Sequence, residues 1–252
     1  MTPNVLLRPA RAGLLALLTL GTTFSLPAAA DEAPAAVRDA LATLLPSRAP
    51  DSLKPAPVEG LYEAIFGTSL LYVTADGRHV IQGTILDAKT REDLTEPALN
   101  GAKLAALGQV GEDKMLVFGP ADPTHTLTVF TDIDCGYCRK LHAEMAQFED
   151  QGIQIRYLFY PRAGADSESY RKAVSVWCAE DQHAAMTAAK AGEAVPEASC
   201  DNPVSQHMAL GRAFGIQGTP ALVLEDGELI PGYIPAERLK RALDARAASA
   251  VN

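Results

Sequence analysis

A Cys-Gly-Tyr-Cys segment, Cys135–Cys138, lies where a β-type pattern changes to a helical one, and this placement constrains the fold most. The segment follows the β-rich run Thr126–Asp132 and opens a helical pattern that continues to Phe148. Two cysteines three positions apart on a helix lie about one turn apart, roughly 5–6 Å between Cβ atoms, which a disulfide can bridge. The sequence therefore predicts a strand, a redox-capable cysteine pair and a helix in succession.

The helix start predicts different roles for the two thiols. Unpaired backbone N–H groups and the positive end of the helix dipole stabilise a thiolate at this position. We therefore expect Cys135 to have a lowered pKa and to be the accessible nucleophile, while Cys138, one turn further in, resolves mixed disulfides. Arg139 and Lys140 are interpreted as residues of a solvated helix face rather than as positive charges that act on the thiols. His142 is interpreted as a surface histidine rather than one that tunes the thiolate.

A Thr219-Pro220 step lies 81 residues after Cys138 and directly before the apolar run Ala221–Leu224. A cis peptide bond costs least before proline, and proline is tolerated at the first residue of a strand. We expect a cis loop that packs against the cysteine pair, so that the backbone of Thr219 can hydrogen-bond an extended peptide. The residues predicted to form the active-site loops are Gly136, Tyr137, Thr219 and Pro220.

The two remaining cysteines, Cys178 and Cys200, are interpreted as a structural disulfide. Four cysteines allow three pairings, and the pairing of Cys178 with Cys200 is preferred because the other two cysteines form a local pair. A bridge that closes a loop of about 20 residues stabilises a fold by roughly 3 kcal/mol. The alternative, a metal bound by all four cysteines, is disfavoured because zinc sites usually draw on two closely spaced pairs. The sequence therefore predicts no metal and no cofactor.

Residues 1–30 have the pattern of a cleaved secretory signal. Arg8 and Arg11 precede an apolar core, residues 13–20, that is too short to span a bilayer, and small residues at 28–30 suit cleavage. We therefore expect export to a compartment that permits disulfides. Loss of the two arginines makes the chain more acidic than the net charge of −9 of the full sequence, so nucleic acid is not expected as a partner.

The rest of the chain is predicted to form a small and a large domain. Residues 31–94 combine a short helix with β-type runs and an Asp76-Gly77 hairpin signal. A domain of this length is small for a hydrophobic core that is stable by itself. Dimerisation through this small α+β domain is therefore expected. Residues 95–114 are interpreted as a linker helix. Residues 115–252 alternate strands and helices in an order that predicts an α/β, thioredoxin-like domain with a helical insertion.

Several segments together resemble the DsbC/DsbG family of periplasmic disulfide isomerases, within the thioredoxin-like superfamily. These segments are Asp76–Gly83, Thr128–Cys138, Ala198–Asp201, Gly218–Ala221 and Val223–Tyr233. The resemblance implies a periplasmic homodimer joined through its N-terminal domains, a structural Cys178–Cys200 disulfide and an associated chaperone activity. It also implies misoxidised exported proteins as substrates and a membrane thiol reductase of the DsbD type as electron donor.

Three functions remain open on these grounds. The preferred function is isomerisation or reduction of non-native disulfides in exported proteins. The alternatives are a disulfide oxidase and a holdase chaperone in which the thiols are incidental. The redox state of Cys135 and Cys138 in the native compartment discriminates between the enzymes, since a reduced pair indicates an isomerase or reductase and an oxidised pair an oxidase.

Overall fold

The structure is a computed structural model and describes residues 33–250. The predicted signal, residues 1–30, therefore lies outside the described residues. No helix within the described range is long and apolar enough to cross a membrane.

The N-terminal part pairs one helix with a four-stranded antiparallel sheet whose strands follow sequence order. Its elements are α1 (Ala35–Leu44), β1 (Ser52–Pro55), β2 (Leu61–Phe66), β3 (Ser69–Thr74) and β4 (Val80–Ile81). Val37 and Leu41, one turn apart on α1, are buried against Val73 and other apolar residues of the sheet. Strands β3 and β4 form a hairpin, and Gly77 in its turn has a φ of 70°, which glycine adopts readily. The predicted hairpin is confirmed.

Helix α2 (Glu96–Val110) follows, and a short 3₁₀ turn (Glu112–Lys114) ends the stretch for which a helix is predicted. Ala102 of α2 packs in a cluster with residues of β2 and β3, among them Tyr72. Leu107 and Val110, further along α2, pack in a cluster with residues of the C-terminal part. Helix α2 therefore contributes side chains to the cores on both sides of it.

The C-terminal part contains a five-stranded mixed sheet and six helices within the described range. The strands are β5 (Leu116–Phe118), β6 (His125–Thr131), β7 (Ile153–Phe159), β8 (Ala221–Val223) and β9 (Leu229–Pro231). The helices are α3 (Gly136–Ala143), α4 (Met145–Asp150), α5 (Glu168–Trp177), α6 (Gln182–Ala191), α7 (Val204–Ala213) and α8 (Ala236–Ala250). The strand order is β5-β7-β6-β8-β9, in which only β6 and β7 are parallel.

Strand β6 is the central strand of this sheet and is covered on both faces. Leu127 and Val129 pack into one core, whereas Phe130 packs into a second core with Leu158 and Phe214. Successive side chains of a strand point to opposite faces, so a strand buried on both sides carries apolar residues at neighbouring positions. This explains why the run that precedes the cysteine pair is so rich in apolar and β-branched residues.

The pairing of β6 with β8 brings two distant loops to one edge of the sheet. Phe130 near the end of β6 lies opposite Ala221 at the start of β8, and the two strands are antiparallel. The segment after β6 carries Cys135, and the segment before β8 carries Thr219-Pro220, whose peptide bond is cis. The two loops that the sequence singles out therefore meet.

One predicted helix is divided in the structure. The sequence predicts a single helix from Cys138 to Phe148, but α3 and α4 are separated at Glu144, whose φ is −99° and ψ 16°. The Glu144 carboxylate accepts hydrogen bonds from Lys140 and from the Tyr233 hydroxyl. Apolar residues keep their helical spacing across the break, so the sequence pattern does not reveal it.

The helical insertion is closed by a disulfide. Cys178 follows the last residue of α5, and its sulfur is bonded to that of Cys200 at 2.04 Å. The loop that this bond closes contains α6, which begins after Asp181, whose side chain accepts a hydrogen bond from the Ala184 N–H. The bond therefore joins the chain on either side of α6.

The turn between β8 and β9 packs closely against α2, and this contact predicts a large effect of a small substitution. Gly227 has a φ of 84°, and a Cβ atom on it would lie 2.3 Å from the Asn100 carbonyl oxygen. We expect Gly227→Ala to lower the free energy of unfolding by about 2–4 kcal/mol, since it adds overpacking to the strain of a left-handed backbone. Urea denaturation followed by the fluorescence of Trp177, the single tryptophan, measures this change.

Gly215→Ala is the matched control. Gly215 has a φ of 71°, but a Cβ atom on it would have nothing within 4 Å. The substitution should therefore lower the free energy of unfolding only by the backbone strain, about 1–2 kcal/mol. Equal losses in the two variants would contradict the close contact between Gly227 and α2.

Candidate active site at the start of helix α3

Cys135 is the N-cap residue of α3, with φ −86° and ψ 124°, and Cys138 lies in the first turn of that helix. The Cys135 thiol donates a hydrogen bond to the Thr219 carbonyl oxygen at 3.1 Å. Cys135 exposes 4% of its surface and Cys138 1%. The sequence predicts an accessible nucleophile and a less accessible partner. Cys135 is indeed the more exposed of the two, but it is more enclosed than predicted.

The surroundings of Cys135 favour its thiolate. Burial raises its pKa, but hydrogen bonds from Thr219 and Cys138 and the charge of Arg162 outweigh this effect, so the pKa lies below the ordinary value of a cysteine. The Thr219 hydroxyl is buried and has no hydrogen-bond partner within the described residues, so it is available to donate to a thiolate at Cys135. The N-cap position adds the unpaired N–H groups of the helix start.

The pKa of Cys138 moves in the opposite direction. Burial raises it above the ordinary value, although the positive charge of Lys190, the Asp132 N–H and the hydroxyl groups of Thr131 and Thr219 each lower it in part. Two thiols one turn apart thus differ because Cys138 is buried more deeply and its hydrogen bonds do not offset that burial, whereas those of Cys135 do. At neutral pH this arrangement favours a thiolate at Cys135 over one at Cys138.

Lys190 is a component of the site that the sequence did not reveal. It lies on α6, exposes 4% of its surface, and donates hydrogen bonds to Thr131 Oγ1 at 2.7 Å and to the Asp132 carbonyl at 2.8 Å. Met186, one turn before it, is fully buried. This i, i+4 spacing from a core residue was the one available signal that Lys190 points inward.

Asp132 organises the loop between β6 and the cysteine pair. Its carboxylate accepts hydrogen bonds from the backbone N–H groups of Asp134 and Arg162, from the Arg162 guanidinium at 3.0 Å and from the Ser169 hydroxyl. Burial opposes ionisation, but these donors hold its pKa below the ordinary value. The ion pair also fixes Arg162 near Cys135, where its charge favours the thiolate.

His142 is buried, so its interpretation as a surface histidine is wrong. Its ring nitrogens lie 3.3 Å from the Tyr157 hydroxyl and 3.1 Å from Thr187 Oγ1, and burial together with the charge of Lys190 lowers its pKa to about 4. His142 is therefore neutral near pH 7. Arg139 donates to the Ile133 carbonyl and pairs with Asp134, which ties the start of α3 to the loop before it.

The exposed side of the site is aromatic. Gly136 is exposed, and Tyr137 exposes 65% of its surface and stacks on Tyr233 with ring centroids 6.3 Å apart. Lys140 Nζ lies 5.1 Å from the centroid of the Tyr233 ring. A peptide that approaches Cys135 therefore meets the Tyr137 ring at the surface.

The four cysteines do not form one cluster of free thiols. Cys135 and Cys138 are unbonded, and the sulfurs of Cys178 and Cys200 are bonded to each other. A bonded pair cannot supply thiolates to a metal. The site therefore consists of one free pair, the Thr219-Pro220 loop and the buried polar groups beneath them.

Two family models match different parts of the chain. The model of a thioredoxin-like domain matches residues 112–247. The model described as a disulfide bond isomerase protein N-terminal domain matches residues 28–96. The predicted fold class, a thioredoxin-like domain preceded by a small α+β domain, is confirmed.

Thiol:disulfide interchange proteins named DsbC are similar to nearly the whole chain. That of Escherichia coli strain K12 is 40% identical over 228 residues, which cover 90% of this chain and 94% of the relative. That of Dickeya dadantii is 41% identical over 199 residues, covering 78% and 82%. That of Haemophilus influenzae is 33% identical over 195 residues, covering 77% and 84%. The resemblance seen in the sequence is confirmed, and the chain belongs to the DsbC family of thiol:disulfide interchange proteins.

Proposed function

We propose that Cys135 is the nucleophile of this thiol:disulfide interchange protein and that Cys138 resolves the mixed disulfides that Cys135 forms. The observation that carries this assignment is the surroundings of Cys135. Its sulfur lies at a helix start beside the Thr219 backbone, with donors that favour the thiolate. Cys138 lies deeper and has a raised pKa, which suits a thiol that reacts second.

The reaction begins when the Cys135 thiolate attacks one sulfur of a client disulfide. A Cys135–client disulfide forms, and the other client sulfur leaves with the electron pair as a thiolate. That thiolate can attack another client disulfide, which rearranges the pairing without net oxidation or reduction. Alternatively, Cys138 attacks Cys135, the client is released reduced, and Cys135 and Cys138 become oxidised.

The substrates in this proposal are misoxidised exported proteins, and the compartment is the periplasm. Support comes from the secretory pattern of residues 1–30 and from the family of the chain. Each reductive turnover oxidises the cysteine pair, so a thiol reductase must return it to the reduced form. A membrane reductase of the DsbD type fits this need, since a periplasm is oxidising.

We also propose that the protein is a homodimer joined through the N-terminal sheet. Strand β4 lies at the edge of that sheet, is only two residues long, and leaves Val80 and Ile81 exposed by 39% and 44%. An edge strand with exposed apolar side chains can pair with a second copy related by twofold symmetry. The two thioredoxin-like domains of such a dimer could then act on the same client protein.

Substitution of each cysteine separates the two steps. We expect Cys135→Ser to abolish refolding of a scrambled multi-disulfide protein, because the attacking sulfur is missing. Cys138→Ser should retain the first attack and accumulate a Cys135–client mixed disulfide, visible on a non-reducing gel. Cys178→Ser is not a suitable control because it breaks a structural bond, so Ser199→Ala serves instead. Isomerase activity that survives in Cys135→Ser would contradict the assignment.

The pH dependence of alkylation tests the state of the Cys135 thiol. Only the thiolate reacts with iodoacetamide, so the rate rises with pH through the pKa of the thiol. In the Cys138→Ser variant the midpoint for Cys135 should lie below that of the same cysteine in urea, because the native surroundings lower the pKa. Mass spectrometry assigns the modified residue. A native midpoint at or above the denatured one would refute the proposed activation.

A charge on β4 should dissociate the dimer. In the full-length chain we expect Ile81→Asp to sediment as a monomer, because burial of an unpaired carboxylate at the interface is costly. Leu44→Asp is the matched control: Leu44 lies on α1 and is 52% exposed, away from the β4 edge, so this variant should remain dimeric. An Ile81→Asp variant that sediments like the unmodified protein would exclude β4 from the interface.

A further inference from the structure

The proposed exchange reaction leaves one buried cation unexplained. Lys190 exposes only 4% of its surface, and its Nζ lies 6.0 Å from the centroid of the Tyr157 ring. Lysines are almost never fully buried without a charged partner. The two hydrogen-bond acceptors of Lys190, Thr131 Oγ1 and the Asp132 carbonyl, are both neutral groups.

Lys190 and Cys138 share those two residues. The Thr131 hydroxyl accepts a hydrogen bond from Lys190 at 2.7 Å and can donate to the Cys138 sulfur. The Asp132 carbonyl accepts from Lys190, while the Asp132 N–H points to the Cys138 sulfur. Helices α3 and α6, which carry Cys138 and Lys190, pack against each other. The Thr131 hydroxyl is thus hydrogen-bonded to the ammonium group and is one of the groups that lower the pKa of the Cys138 thiol.

The other ionisable groups around Lys190 and Cys138 each keep one protonation state near neutral pH. Asp132 is ionised and its carboxylate is occupied by Arg162 and Ser169. Burial raises the pKa of Tyr157 on β7 far above its ordinary value, and His142 on α3 is neutral. The remaining charged neighbours are Arg139, at the start of α3, and the Cys135 thiolate.

Lys190 itself is able to exchange a proton. Burial lowers its pKa to about 8, although the thiols and Asp132 counteract the shift in part. A neutral amine is therefore accessible close to neutral pH, whereas an exposed lysine keeps its proton up to about pH 10. Burial moves the pKa of Cys138 upward from its ordinary value, so this thiol needs a proton acceptor before it can attack.

We propose that Lys190 is the proton acceptor for Cys138 in the resolution step, with the Thr131 hydroxyl as the relay between them. The proposal rests on the roles of Cys135 and Cys138 given above. It assigns to α6, the helix within the disulfide-closed loop, a direct part in the release of reduced clients.

The atoms and electrons balance as follows. The Cys138 thiol passes its proton to the Thr131 oxygen while the Thr131 hydroxyl passes its own proton to the Lys190 amine. The Cys138 thiolate attacks Cys135 Sγ, a Cys135–Cys138 bond forms, and the Cys135–client bond breaks. The client sulfur leaves with the electron pair and takes a proton from water, and the Lys190 ammonium returns its proton to solvent. The client disulfide has gained two electrons, which the protein thiols have lost.

A small aromatic disulfide that releases a coloured thiolate at each exchange separates the two steps in a stopped-flow experiment. The first colour phase reports attack by Cys135, and the second reports displacement by Cys138. In the full-length protein we expect Lys190→Met to leave the first phase unchanged and to slow the second phase at pH 7 on the order of 10²-fold, the usual scale of general-base catalysis. The pH midpoint of the second phase should also move upward.

Two further variants complete the design. Thr131→Val keeps the side-chain shape, removes the relay and should slow the second phase in the same direction. Lys240→Met removes a lysine that pairs with Asp244 on α8 and should change neither phase. A Lys190→Met protein whose second phase keeps its rate and pH midpoint would overturn the proposal. Because loss of the Lys190 charge alone also raises the pKa of Cys138, the relay further requires that Thr131→Val, which keeps the charge, slows the second phase; an unchanged second phase in that variant would overturn the proposal as well.

The unmodified protein provides an independent measurement if Lys190→Met does not fold. Its second phase should rise with pH around the pKa of about 8 of Lys190. A second phase that stays constant with pH up to about 10, where exposed lysines titrate, would exclude a proton acceptor of this kind. Loss of the first phase in the unmodified protein would instead refute the role of Cys135, so the two proposals fail in different ways.

Discussion

The antiparallel hydrogen bonds between β6 and β8 hold the two halves of the active site together. Cys135 follows β6 and Thr219 precedes β8, so the distance between the thiol and the Thr219 carbonyl depends on the register of this pair. A shift by one residue would turn every side chain of β8 to the opposite face. The buried apolar residues on both faces of β6 oppose such a shift.

Burial acts on both thiols of the pair, and the difference between them comes from the deeper burial of Cys138 together with the hydrogen bonds that each sulfur receives. For Cys135 the donors outweigh the cost of burial, whereas for Cys138 they do not. This difference supports the proposed roles, in which Cys135 attacks the client and Cys138 reacts second. The ion pair between the buried Asp132 and Arg162 supports this division, because it holds the positive charge of Arg162 near Cys135.

The parts of the site that lie at junctions between strand and helix were predictable from the sequence. The Cys-Gly-Tyr-Cys segment and Thr219-Pro220 each combine a special residue with a change of local pattern, and the local Cys135–Cys138 pair made Cys178–Cys200 the preferred one of three pairings. Lys190, the burial of His142 and the break at Glu144 were not predictable. Each depends on a contact that is distant in sequence: Lys190 of α6 with Thr131 of β6, His142 with Thr187 of α6, and Glu144 with Tyr233. Local periodicity indicates at most which side of a helix is buried, not which residue it meets there.

The disulfide between Cys178 and Cys200 spans the helix that carries Lys190. Without that bond, α6 would be anchored only by its packing and its side-chain hydrogen bonds, and the ammonium group beneath the reactive pair would be less firmly held. A protein that repairs sulfur pairings in others thus relies on one permanent pairing of its own. For the proposed isomerase, this second pair must be oxidised during biogenesis while the first stays reduced, so maturation of the molecule has to treat two pairs of the same residue in opposite ways.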